Sequence, residues 1–120
     1  MVLWIPGTGE SVSDRLTTHL DVVPTLLPLL GVTNPTEDYA LGTSLLNPRS
    51  DREYIVMADW SRIAYLDGTF KASFPIQVGG VMRTEVTTPD DRTVADSGEF
   101  FRTRRSQMQE IMKDIGRFVR

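Results

Sequence analysis

A chain of 120 residues is long enough for one domain and too short for two. With 40% apolar and 24% charged residues it has the composition of a folded globular protein. A net charge of −3 and a pI of about 5.1 argue against a nucleic-acid partner. The absence of cysteine excludes disulfides, zinc–thiolate sites and thiol nucleophiles, and leaves the redox compartment open.

Residues 2–5 (Val-Leu-Trp-Ile) form a continuous apolar run closed by Pro6-Gly7, the pattern of a buried strand ending in a turn. No basic leader precedes it, and no apolar run reaches the ~20 residues needed to span a bilayer. A chain that begins inside a core strand is expected to be a piece of a longer protein. Residues 8–15 are polar and rich in Gly and Ser, hence a surface loop.

The stretch 17–31 is the most apolar part and holds the only histidine, His19. Asp21 suits a helix N-cap, Pro24 the first turn, and Gly31 the C′ position. Pro28 then falls inside the helix at a cost of about 3 kcal/mol, so the helix is either kinked or begins near Pro24. Leu26, Leu27, Leu29 and Leu30 cover more than one face, which predicts a buried helix.

Residues 33–52 read as a long loop bounded by Asn34-Pro35 and Asn47-Pro48 and packed on the body. Four strands follow, at 53–58, 62–66, 69–74 and 81–87, with Asp67-Gly68 as the strongest hairpin signal. The expectation is an antiparallel meander with one polar face. A single helix ends the chain. Asp96 or Ser97 caps it, and Phe101, Met108, Ile111, Met112, Ile115, Phe118 and Val119 recur at helical spacing for packing on the sheet. Arg102, Arg104 and Arg105 cluster there, flanked by Glu99 and Glu110, and read as a solvated face.

Chemistry-bearing groups are sparse. His19-x-Asp21 offers one nitrogen and one carboxylate, whereas a metal site needs three or four ligands with a supporting shell. Thr17, Thr18 and Thr25 are hydroxyls near His19, but a hydroxyl nucleophile needs an oriented base or a metal, and threonines around a helix start usually cap and pack. Pro89-Asp90-Asp91 reads as a turn, and Gly7-x-Gly9 lacks the third glycine and the helix of a phosphate loop. No catalytic, cofactor or metal residue is assigned. His19 and Asp21 are kept as candidates for the edge of a pocket.

Trp4-x-Pro6-Gly7, the string Leu20-Asp21-Val22-Val23-Pro24-Thr25-Leu26, then Leu30-Gly31-Val32, and Leu41-Gly42-x-Ser44-Leu45, taken in order, resemble the C-terminal part of the sulfatase branch of the alkaline phosphatase superfamily. Ile5, inserted between Trp4 and Pro6, departs from that pattern. Thr18-His19-Leu20-Asp21, Pro35 to Tyr39, Leu46-Asn47-Pro48-Arg49 and Gly116-Arg117-Phe118 look like the narrower group of bacterial inner-membrane-anchored sulfatase-like proteins. The resemblance implies an α/β fold for the whole and α+β within this segment. Residues 1–52 would end the large subdomain, and residues 53–120 would form the small antiparallel-sheet-plus-helix subdomain. It also implies a parent that hydrolyses sulfo- or phospho-esters with a divalent metal at the periplasmic face of the inner membrane. The nucleophile and the metal-binding Asp-His pair would lie upstream, so this segment alone is expected to be silent. Its partner would be the rest of the parent domain, with membrane lipid reached only through the parent. Isolated, it is expected to self-associate through the edge of residues 2–5 or the apolar helix. The rival readings are a degenerate relative that senses envelope lipid or lipopolysaccharide, and a self-contained binding module.

Overall fold

The computed structural model describes residues 2–47, 52–75 and 84–118. Strands β1 (Tyr54–Ala58), β2 (Arg62–Asp67), β3 (Lys71–Pro75) and β4 (Glu85–Thr87) form one antiparallel sheet in the order β1-β2-β3-β4. The expected meander and α+β character are present. Residues 76–83, with Gly79-Gly80 and the start of the expected fourth strand, lie outside the described residues.

Register explains which residues form the core. Val56 faces Tyr65, Tyr65 faces Ala72, and Ala72 faces Val86, so these side chains share one side of the pleat. Tyr65, Phe70, Ala72, Phe100 and Ile111 form the buried cluster, with Tyr54, Val56, Val86, Val94, Met108 and Ile115 packed around it. Tyr65 stacks on Tyr54 at 5.2 Å, and Phe100 meets the edges of Tyr65 and Phe70 at 5.4 and 5.8 Å. The opposite side is mixed rather than polar. Arg62, Lys71, Ser73 and Glu85 alternate onto it with Ile55, Met57 and Leu66, and Ile55 is buried.

The hairpins are made by carboxylates. Asp59 Oδ1 accepts from Ser61 N and Arg62 N at the β1–β2 turn, at 2.7 and 2.8 Å. Asp67 Oδ1 accepts from Thr69 N and Phe70 N at the β2–β3 turn, both at 2.7 Å. Gly68 is not among the positive-φ residues, so this hairpin is not the left-handed turn that Asp-Gly usually signals. The side chain of Asp67 satisfies the turn amides instead, as Asp does in Asx turns.

The C-terminal helix is divided. α2 (Ser97–Thr103) is capped by Asp96, whose side chain accepts from Gly98 N at 2.8 Å. α3 (Arg105–Phe118) follows after a break at Arg104. Phe100 is fully buried, whereas Phe101 and Met112, both expected in the apolar stripe, are exposed. At the break, Arg104 Nε donates to Asp67 Oδ2 at 2.6 Å, and its guanidinium lies 5.5 Å over the Phe70 ring. Tyr65 donates its hydroxyl to the same carboxylate oxygen at 2.9 Å.

Two expectations for the N-terminal part fail. Residues 2–5 are not a strand: Val2 is 97% and Trp4 83% exposed, and no sheet neighbour joins them. An apolar run becomes a strand only where a partner edge accepts its backbone groups. The helix α1 (Val22–Leu29) does run through Pro28 and ends with Gly31 at φ 92°. Val32 N donates to Leu27 O and Gly31 N to Pro28 O, which is a Schellman closure. Yet α1 is not a buried helix. Pro24 and Thr25 are buried, while Val23, Leu29 and Leu30 are exposed.

Burial opposes the charge on Asp67. Its bonds from Arg104, the Phe70 and Thr69 amides and Tyr65 outweigh that penalty and hold the carboxyl below its usual range. The stabilisation is therefore complete above the unfolded carboxylate pKa of about 3.9 and fades as pH falls through the lower folded value. Asp67→Asn should cost about 2–4 kcal/mol at neutral pH by stranding Arg104 and Tyr65. Urea denaturation at pH 7 should show this gap, and the gap should narrow well below pH ~4.

Candidate functional site

Local geometry in the N-terminal third centres on Asp21. A short 3-10 turn (His19–Asp21) precedes α1 and buries the Asp21 side chain completely. Its Oδ2 accepts from Thr18 N at 2.8 Å and Arg52 Nη1 at 3.1 Å. Its Oδ1 accepts from Thr43 N at 2.8 Å and Arg52 Nη2 at 2.7 Å. Asp21 makes no side-chain cap to α1 itself. The expected N-cap contact is replaced by a clasp reaching forward 22 residues to Thr43 and 31 to Arg52. A bidentate guanidinium on a carboxylate is the strong form of such a pair.

Thr18 and Thr25 extend the clasp. Thr25 Oγ1 donates to Asp21 O at 2.5 Å and accepts from Leu45 N at 2.8 Å, so the helix holds the loop that follows it. Thr18 Oγ1 donates to Val56 O at 2.9 Å. The Asp59 N to Arg62 O bond, at 2.9 Å, fixes the β1–β2 alternation so that the backbone groups of Val56 point away from β2. Thr18 thus docks the N-terminal third on the open edge of the sheet. Both threonines serve as packing and hydrogen-bonding residues in this arrangement. Thr17 is exposed.

His19, the other residue singled out by sequence, is exposed and does not line the cleft described next. The structure separates the fates of the pair: Asp21 is consumed by the clasp and His19 faces solvent. Asp90 and Asp91 lie on an exposed turn as expected, with Asp91 at φ 63° and paired to Lys71 Nζ at 2.6 Å. Among the described residues, no group of three or more His, Asp or Glu side chains is placed to hold a metal ion.

A cleft of about 370 Å³ opens between β1, α3 and the 18–43 layer. Leu20, Leu41, Ile55 and Ile115 give it apolar walls, and Glu53, Glu110 and Asp114 carry its negative charge. Arg52 also lines it, neutralised by Asp21. Tyr54 donates its hydroxyl to Glu110 Oε2 at 3.1 Å. Burial foremost, then that bond and the charges of Glu110 and Asp114, push its phenol up to about 12. Sequence reading did not find this cleft. Its carboxylates come from Glu53, just before β1, and from α3 more than fifty residues later (Tyr54 to Glu110 is a separation of 56), and no local motif joins them. No helix among the described residues is long and apolar enough to cross a membrane.

Gly42 sets how closely the loop approaches the Asp21 turn. A Cβ at this position would collide with the Leu20 carbonyl and lie 2.8 Å from Asp21 N. Gly42→Ala should therefore push Thr43 off Asp21 and cost about 1–3 kcal/mol. Hydrogen exchange should show the Thr43 and Leu45 amides losing protection while the β2 and β3 amides keep theirs. No protein-family model matches the chain, and no solved structure matches it.

Proposed function

We propose that the chain is the C-terminal segment of a sulfatase-like hydrolase domain and completes that domain without supplying its chemistry. The observation that carries this reading is the uncovered apolar surface of the N-terminal third. Val2, Trp4 and Val12 are 97%, 83% and 94% exposed, and Leu30 on the end of α1 is 78% exposed. α1 carries no charged residue at all, so its outer face has nothing to attract water. Large apolar side chains left exposed along this third of the chain fit a surface that another body covers. The ordered Asp-x-x-Pro-Thr and Leu-Gly signals across the same helix support identifying that body as the upstream part of a sulfatase-like domain. In this reading the parent cleaves a sulfo- or phospho-ester with a divalent metal held upstream, at the periplasmic face of the inner membrane.

The test uses the chain and its reading frame. The purified chain, given p-nitrophenyl sulfate or phosphate with magnesium, calcium, manganese or zinc, should release no nitrophenol above the protein-free rate. The protein expressed from the frame extended upstream of Met1 should hydrolyse one of these esters and lose the activity to EDTA. Turnover by the chain alone would overturn the claim that it is silent. An inactive extended protein with no hydroxyl or cysteine nucleophile upstream would overturn the hydrolase reading. Light scattering of the isolated chain should show self-association. A clean monomer would count against an uncovered docking surface.

A further inference from the structure

We propose that the 18–43 layer is a removable cover on the edge of β1, and that lifting it lets β1 pair edge to edge with β1 of a second copy of this chain. β1 is the first strand of the sheet and pairs only with β2 among the described residues. Tyr54, Val56 and Ala58 alternate with the residues bonded to β2, so their amides and carbonyls point outward. Such an edge is a template for another strand unless something blocks it. Thr18 blocks it, donating Oγ1 to Val56 O at 2.9 Å.

The cover is held by polar bonds and not by a shared core. Arg52, just before β1, grips it through Asp21, and Arg117 donates to Glu37 O at 2.9 Å. Among the described residues, the buried cluster of Tyr65, Phe70, Ala72, Phe100 and Ile111 and the side chains packed around it include nothing before Tyr54. The seam itself is open, with a cleft of about 370 Å³ between β1 and the layer. The radius of gyration is 16.0 Å, against about 14 Å for a compact chain of this length. The layer can therefore lift as a local unit while the sheet and its core stay intact.

β1 suits a copy of itself once uncovered. Its sequence, Tyr-Ile-Val-Met-Ala, is rich in β-branched and aromatic residues and has neither charge nor proline. Antiparallel pairing about a two-fold axis at Val56 brings outward amides and carbonyls of both strands together and sets Tyr54 opposite the partner's Ala58, a large side chain against a small one. This inference stands apart from the reading of the parent as a hydrolase, and its test involves no ester.

The test uses the full 120-residue chain. In the double variant Thr18→Val, Arg52→Gln, the bond to Val56 O and the guanidinium on Asp21 are both lost. The Thr43 and Leu45 amides should then exchange about tenfold faster or more, while Tyr65 and Ala72 keep their protection. Raising the protein concentration should protect the outward amides of Val56 and Ala58 about tenfold, with sedimentation reporting a dimer. Adding Ala58→Lys, a charge at an exposed position on the edge, should abolish both effects. Adding Leu30→Ser instead, at the exposed end of α1, should leave them intact, which separates this pairing from association through the apolar helix. Val56 and Ala58 exchange that does not change with concentration would overturn the proposal. So would a dimer that survives Ala58→Lys, or lost protection at Tyr65 and Ala72, because the sheet would then open together with its cover.

Discussion

The Asp21 carboxylate is the buried joint of the N-terminal third: it takes four hydrogen bonds, three of them from Thr43 and Arg52 further down the chain. Asp21 has no water to fall back on, being 0% exposed, so each of its oxygen lone pairs must be met by the protein. Thr18 and Thr43 supply backbone amides from either side of α1, and Arg52 supplies the compensating charge from the threshold of β1. A buried carboxylate with fewer partners would be a liability rather than a joint. Gly42 is part of the same solution, since only a residue without a Cβ lets Thr43 come so close. Thr18 then carries the joint onto the sheet by capping Val56 O.

Asp67 repeats the device in the C-terminal part with a different outcome. It gathers two turn amides, a tyrosine hydroxyl and a guanidinium, and sits beside a real aromatic core. Here the polar node and the apolar cluster reinforce each other. Arg104 can reach Asp67 because the helix breaks at that residue, and the break lets α2 turn Phe100 down between Tyr65 and Phe70. The clasp at Asp21 lacks such backing. Its neighbours Pro24 and Thr25 are buried, but Val23, Leu29 and Leu30 are not. The two parts of the chain should therefore open with different ease, the sheet and α3 holding longest.

What the sequence makes legible follows from how local each signal is. Strands β1 to β3 are legible because β1 and β2 are short apolar runs, β3 alternates, and Asp59 and Asp67 punctuate them. The Gly31 helix stop was equally local. Spacing does not separate Phe100 from Phe101: on a helical wheel Phe100 lies about 20° from Ile111 and Phe101 about 40° from Ile115. The break at Arg104 was not legible, because its partner is 37 residues away. The same holds for Asp21. A cap position is read from a few flanking residues, but the donors that claim this carboxylate stand 22 and 31 residues downstream. Residues 2–5 and α1 were read as buried from apolarity alone. Apolarity states what a segment would gain from burial, not whether a covering surface is supplied by the same 120 residues.

The position of the cleft ties these strands of argument together. It lies on the seam where the clasped N-terminal layer meets β1 and α3, so its walls belong to both parts. By mass action, anything bound only when the two walls face each other stabilises that arrangement. The same linkage runs in the other direction. A body that covers Val23, Leu29 and Leu30 would steady α1, and through Asp21 and Thr18 it would steady the wall of the cleft.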